Sequence, residues 1–162
     1  MIAEDTLTLN SFDELEAMLA DMAKPIEQPK IDQPTWQSVI EILQEMERGF
    51  FASSSGPDGE PWAQLSPATV KKKGHSIILR ETYELMAGLT GHSGTSVRET
   101  TPTMLEFGTS RDWAWVHQAG SERVTASGRQ WIPQRMMVGL TEESINDVLD
   151  VVADAAVMMM FQ

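Results

Sequence analysis

Ser96-Val97-Arg98-Glu99-Thr100-Thr101-Pro102-Thr103-Met104-Leu105-Glu106-Phe107 is the stretch on which the fold class turns. Ser96–Thr100 and Thr103–Phe107 carry the β-branched and aromatic residues of strands, and they meet at Thr101-Pro102, where a ladder must stop. The pair predicts a hairpin. Helical periodicity lies on both sides of it. The chain is therefore expected to be α+β, with a small mainly antiparallel sheet packed by N- and C-terminal helices.

Downstream, Asp112 can cap a short helix through Gln118, ended by Gly120. Ser121–Gly128 is expected to be a mobile polar loop, and Gln130-Trp131-Ile132 and Met136-Met137-Val138 are candidate strands around Pro133. Thr141 opens the clearest element, a helix to about Phe161 with Ile145, Val148, Leu149, Val152, Ala156 and Met159 on one face. Upstream, Thr82–Leu89 has the pattern of a turn or two of helix, closed by Gly91. Ser66-Pro67 has the N-cap and N1 residues of a helix that carries Lys71-Lys72-Lys73 and stops at Gly74. Ser53 to Pro61 is dense in turn formers and returns Trp62 and Leu65 to the body.

Before it, a helix from about Pro34 buries Trp36, Val39, Ile40, Leu43 and Met46 or Phe50. Lys24 to Pro34, with Pro25 and Pro29, has the composition of an extended linker. Ser11-Phe12-Asp13-Glu14 is a capping box opening a helix to about Ala23, with an apolar stripe of Phe12, Leu15, Leu19 and Met22. Residues 1–162 are expected to form a single domain: N-terminal helix and Pro-rich linker over 11–33, core over 34–140, and C-terminal helix over 141–162.

Composition narrows the function. The 162 residues hold 12 basic and 24 acidic side chains, a net charge of −12. The excess sits at the ends. Residues 1–29 hold seven acids and one base, and residues 136–162 five acids and no base, whereas 30–135 is nearly neutral. Dedicated nucleic-acid binding needs a basic surface and is not expected. The absence of cysteine excludes disulfides, thiolate metal sites and a cysteine nucleophile. The longest apolar run, Ala155–Phe161, is far below the ~20 residues of a membrane span. With no basic, apolar leader at the N-terminus, a soluble chain is expected.

Candidate chemistry is sparse. Gly91-His92-Ser93-Gly94-Thr95 imitates a nucleophile elbow but ends in Thr95, and it follows a helical segment rather than a strand. His75, His92 and His117 lack metal-ligand spacing, so neither a metal nor another cofactor is expected. His117, among Trp113, Trp115 and Val116, is more economically a packed histidine than a base. A small hydrolase using His117 with Asp112 or Ser93 remains a distant alternative. Gly56-Pro57-Asp58-Gly59 lacks the lysine and helix start of a phosphate loop and the carboxylates of a calcium loop.

Three surfaces could meet partners. Lys71-Lys72-Lys73 is a solvated helix end or a contact for an acidic neighbouring subunit. Glu143, Asp147, Asp150 and Asp154 recur at 4–3–4 spacing as an acidic stripe opposite the apolar face. That stripe is a solvated face or the lining of a channel along which DNA slides. Val157-Met158-Met159-Met160-Phe161 is apolar on all sides and suits a partner contact, since methionine adapts to irregular surfaces.

The ordered set Phe51, Gly56-Pro57-Asp58-Gly59, Trp62, Leu65-Ser66, Thr69, Ile78-Leu79-Arg80, Phe107-Gly108-Thr109, Trp113-Ala114, His117-Gln118-Ala119-Gly120, Ile132-Pro133-Gln134-Arg135 and Gly139-Leu140-Thr141 resembles the Mu-like phage virion morphogenesis, or tail completion, family. The likeness runs from the first helix to the last. Departures are Trp113 for tyrosine, Tyr83 for glycine, and Met136-Met137-Val138 for Pro-Phe-Leu. The resemblance implies a non-enzymatic virion protein, made in the host cytoplasm, that completes the head-proximal end of the tail and joins it to the head. Implied partners are other copies of itself, as a hexameric ring, and neck and tail proteins, with DNA as passing content and no membrane. A tail-tube terminator ring is the nearer alternative. Partner contacts are then expected at the 53–61 loop, at Ser121–Gly128 and at Met158, Met159, Met160 and Phe161.

Overall fold

A computed structural model describes residues 30–91, 93–125 and 128–160, and the first helix, its capping box, His92 and Phe161 lie outside them. The elements are α1 (Gln33–Ser53), α2 (Pro67–Lys73), α3 (Glu84–Leu89), β1 (Ser96–Thr101), β2 (Met104–Thr109), α4 (Ala114–Ala119), β3 (Ser121–Thr125), β4 (Gly128–Ile132) and α5 (Glu142–Met160). The class is α+β, and its strands pair as two separate antiparallel hairpins, β1–β2 and β3–β4.

Capping chemistry sets the helix ends. Asp32 Oδ1 accepts from the Thr35 amide at 2.9 Å at the start of α1, and Ser66 Oγ accepts from the Thr69 amide at 3.2 Å at the start of α2. Thr141 and Ser144 close a reciprocal box on α5, each hydroxyl accepting the other residue's amide. Thr141 is thus the cap that its sequence position predicts.

The β1–β2 hairpin is clamped by the start of α1. Trp36 Nε1 donates to Thr101 O at 2.7 Å, and the Ile31 amide to Pro102 O at 2.8 Å. Register sets Arg98 opposite Phe107, with the guanidinium 3.8 Å above the ring centre. Trp36, Val39 and Leu43 of α1 then pack with Leu105 and Phe107 of β2 and with Val148, Val151 and Val152 of α5. A second cluster joins Phe50, Phe51, Trp62, Ile78, Leu85, Leu89, Ala114 and Met137. Each of the large apolar side chains among them contributes about 1.5–3 kcal/mol on burial.

Four sequence expectations need correction. Asp112 does not cap α4, whose cap position is Trp113 with no side-chain hydrogen bond. Ser121–Thr125 is strand β3 rather than a mobile loop, paired so that Glu122 faces Trp131 and Thr125 faces Gly128. Met136–Val138 is not a strand, because one side chain does a partner strand's work: Gln118 Oε1 accepts from the Met137 and Val138 amides at 2.8 and 3.0 Å, and Gln118 Nε2 donates to Val138 O at 2.7 Å. On α5 the buried face is rotated. Val148, Val151 and Val152 pack inward, while Ile145 and Leu149 of the expected face are exposed.

Glu47 occupies an inward position of the 4–3–4–3 series Trp36, Ile40, Leu43, Glu47 and Phe50, and it is fully buried. Neither carboxyl oxygen has a hydrogen-bond partner. The nearby cation is spent elsewhere: Arg98 donates to the carbonyls of Val97, Gly88, Leu89 and Gly108. Burial therefore pushes the Glu47 carboxyl up to about 8, against the opposing charge of Arg98.

Candidate functional site

The scattered motif residues meet at one junction. Phe51 and Trp62, both buried, pack edge to face at 5.4 Å between ring centres. Trp62 Nε1 donates to Met136 O at 2.8 Å, and Arg135 Nε donates back to Ala63 O at 2.9 Å, so the two segments hold each other by side chain to backbone. The 53–61 loop closes on itself. Asp58 Oδ1 accepts from the Glu60 amide at 3.1 Å, and Ser55 bridges to Pro61. Pro57 lies so close to Gly139 that a Cβ there would stand 2.6 Å from the proline Cγ.

The His-Gln-x-Gly segment supplies the third side. His117 O accepts from the Arg135 amide at 2.7 Å, and Gln118 carries the 136–138 backbone as described. Gly120 turns the chain out of α4 at φ 73°, a conformation L-residues rarely take, and a Cβ there would stand 2.9 Å from the Gln134 amide nitrogen. Pro133, with no amide to donate, follows the last residue of β4. Gln118, Gly120, Pro133 and Arg135, like Pro57, Asp58, Gly59 and Trp62, thus belong to a structural joint.

A cavity of about 410 Å³ opens beside the joint, with Leu65, Leu79 and Trp113 among its walls and Lys73, His117 and Arg135 among its polar lining. His117 stacks edge-on against Trp113 at 5.9 Å, and its Nδ1 is buried without a partner. Burial, then the charges of Arg135 and Lys73, hold the His117 pKa below its ordinary value, so the ring is neutral at pH 7. Leu79 and Tyr83, on the same wall, take φ of 56° and 58°. A left-handed backbone is costly for such side chains and clusters at working surfaces. At Tyr83 the resembled family has glycine, which takes this conformation freely.

The hydrolase residues do not come together. Ser93 Oγ is hydrogen-bonded to Thr95 Oγ1 at 3.0 Å, and no hydrogen bond joins Ser93 or Asp112 to His117 among the described residues. Nor do three or more His, Asp or Glu side chains gather as a metal site among the described residues. His117 is a packed histidine on a cavity wall.

On α5, Glu143, Asp147, Asp150 and Asp154 are all exposed, and Glu143 and Asp147 also border a groove shared with α1. Val157, Met158 and Met159 are exposed, Met158 at 70%. Trp115 and Trp131 are exposed at 64% and 71%, and Tyr83 at 52%. Tyr83 and Trp131 were not legible as surface residues from the pattern. Trp131 lies on β4 opposite Glu122 of β3, the partner strand that the sequence does not reveal.

No helix among the described residues is long and apolar enough to cross a membrane. No curated protein and no solved structure matches the chain. The model of the phage virion morphogenesis family does, over residues 11–156, and the chain belongs to that family.

Proposed function

We propose, on the premise of a virion-building family, that this chain completes the head-proximal end of a phage tail and joins the tail to the head through protein–protein contacts. Family membership across residues 11–156 carries the reading. The geometry supports it. Motif residues that could have served chemistry are engaged in the joint around Met136, while large apolar side chains such as Trp115, Trp131 and Met158 face outward. Exposed tryptophan and methionine are what contact surfaces are built from. In this reading the protein resides in the virion at the tail or neck, with copies of itself and other neck and tail proteins as partners.

Electron microscopy of lysates from a phage deleted for this gene tests the proposal. DNA-filled heads beside separate, full-length tails are expected. Intact virions would overturn it, and tails of uncontrolled length would favour tail-tube termination instead.

A further inference from the structure

The outward edge of α5 changes character along its length. Asp147, Asp150, Asp154, Val157 and Met158 follow at 3, 4, 3 and 1 residues, so they share one side of the helix. All five are exposed. The edge therefore presents carboxylates first and an apolar knob, Val157 and Met158, in the next turn. No salt bridge engages these aspartates among the described residues. α5 carries five acidic residues and no basic one.

A surface of opposite character lies elsewhere on the same chain. The 410 Å³ cavity adjoins a second of about 460 Å³, the two sharing Thr69, Lys73 and Glu81 in their linings. Leu65, Leu79 and Trp113 give the floor apolar surface. Lys72, Lys73 and Arg135 face it, and of its two carboxylates Glu84 is already paired with Arg111 at 3.1 Å. No α5 residue lines either cavity. An apolar pocket rimmed by lysines thus matches an apolar knob flanked by aspartates, and the two occupy different faces.

We propose that the α5 edge of one copy docks in this double cavity of a second copy, Val157 and Met158 against its apolar wall and Asp150 and Asp154 against Lys72 and Lys73. This contact deepens the reading of the chain as an assembly subunit and rests on it. The pairing is head-to-tail, so a dimer keeps one free groove, on the first copy, and one free edge, on the second, for further copies. Charge complementarity brings the surfaces into register, and Met158 supplies the adaptable contact. The lysines also complement the negative end of the incoming helix.

The test uses two full-length variants, one broken at the edge (Val157→Glu with Met158→Glu) and one broken at the groove (Lys72→Glu with Lys73→Glu). All four positions are exposed or half-buried, and unchanged thermal melts confirm folding. Wild type is expected to self-associate in analytical ultracentrifugation, and each variant alone to do so at least about tenfold more weakly, a loss near 1.4 kcal/mol. Mixed, the variants should form a 1:1 complex and nothing larger, because one retains the groove and the other the edge. The chain lacks cysteine, so Met158→Cys in one copy and Thr69→Cys in another can be joined by a short bis-maleimide without background, and a covalent dimer is expected.

A wild type that stays monomeric at millimolar concentration would overturn the proposal. So would variants that assemble like wild type, or folded variants that fail to complement, including the case where the edge binds only a different virion protein. The phage deletion is independent. A self-associating chain whose loss leaves virions intact would refute the tail role and keep this contact; a monomer whose loss separates heads from tails would do the reverse.

Discussion

Glu47→Gln should stabilise this protein, and increasingly so as pH rises. Glu47 is fully buried and its carboxyl oxygens have no hydrogen-bond partner. Its pKa rises from an ordinary 4.5 to about 8 on folding. A carboxyl raised in this way binds a proton in the folded state that the unfolded chain has already released. Stability is therefore whole below pH 4.5, falls as pH rises from there, and levels off above about 8. At 1.36 kcal/mol per pH unit, the gap amounts to about 5 kcal/mol at its limit, of which roughly 1 is already lost at pH 5.

The variant has no such titration. The stability difference between variant and wild type should widen by about 4 kcal/mol between pH 5 and pH 9. Urea denaturation followed by tryptophan fluorescence at pH 5, 7 and 9 measures it, since Trp36 and Trp62 are buried and report on the two core clusters. The change with pH is the diagnostic quantity, because any fixed cost of the glutamine amide cancels in it. His117 acts at the other end of the scale: its lowered pKa removes stability as pH falls below its ordinary range, equally in both proteins. Parallel profiles for wild type and variant above pH 5 would refute the reasoning and mean that Glu47 is ionised and compensated.

Other substitutions probe the joint and the cavity wall. Gln118→Leu strips the Met137 and Val138 amides and the Val138 carbonyl of their partner and should cost about 2–4 kcal/mol, read as a lower urea midpoint. Gly139→Ala drives a methyl to 2.6 Å from the rigid Pro57 ring and should cost about 1–3 kcal/mol in the same assay. Tyr83→Gly relieves a left-handed backbone worth roughly 1–2 kcal/mol, so its melting temperature should not fall although an aromatic ring is lost. The same variant should weaken self-association, separating strain from stability.

Local chemistry made much of the fold legible. Ser66-Pro67 and Gly74 bound α2, Thr141 starts α5, and the β-branched runs around Pro102 form the first hairpin. Failures came where a distant group decided the outcome. Met136–Val138 has the composition of a strand, but Gln118, some twenty residues earlier in the chain, satisfies its backbone. Ser121–Thr125 is polar and shows its strand character only opposite Gln130–Ile132. The apolar arc of α5 is wider than the surface that covers it, so Ile145 and Leu149 remained outside.

The candidate site was half legible. The motif residues could be named, but that Trp62, Arg135 and Gln118 converge on one segment is a fact of three-dimensional closure. Glu47 carried a signal that went unused, an acidic residue at an inward position of an apolar helical stripe. Tyr83 stood out only as a departure from the glycine of the resembled family, and its left-handed backbone gives that departure a physical meaning.

In vitro complementation tests the tail-joining role most directly. Purified protein is added to a lysate of the deleted phage that contains separate heads and tails, and plaque-forming particles are counted before and after. A rise of several orders of magnitude, with joined particles in the microscope, is the expected result. Heads and tails that remain separate and non-infectious with folded protein present would contradict a role in completing the tail.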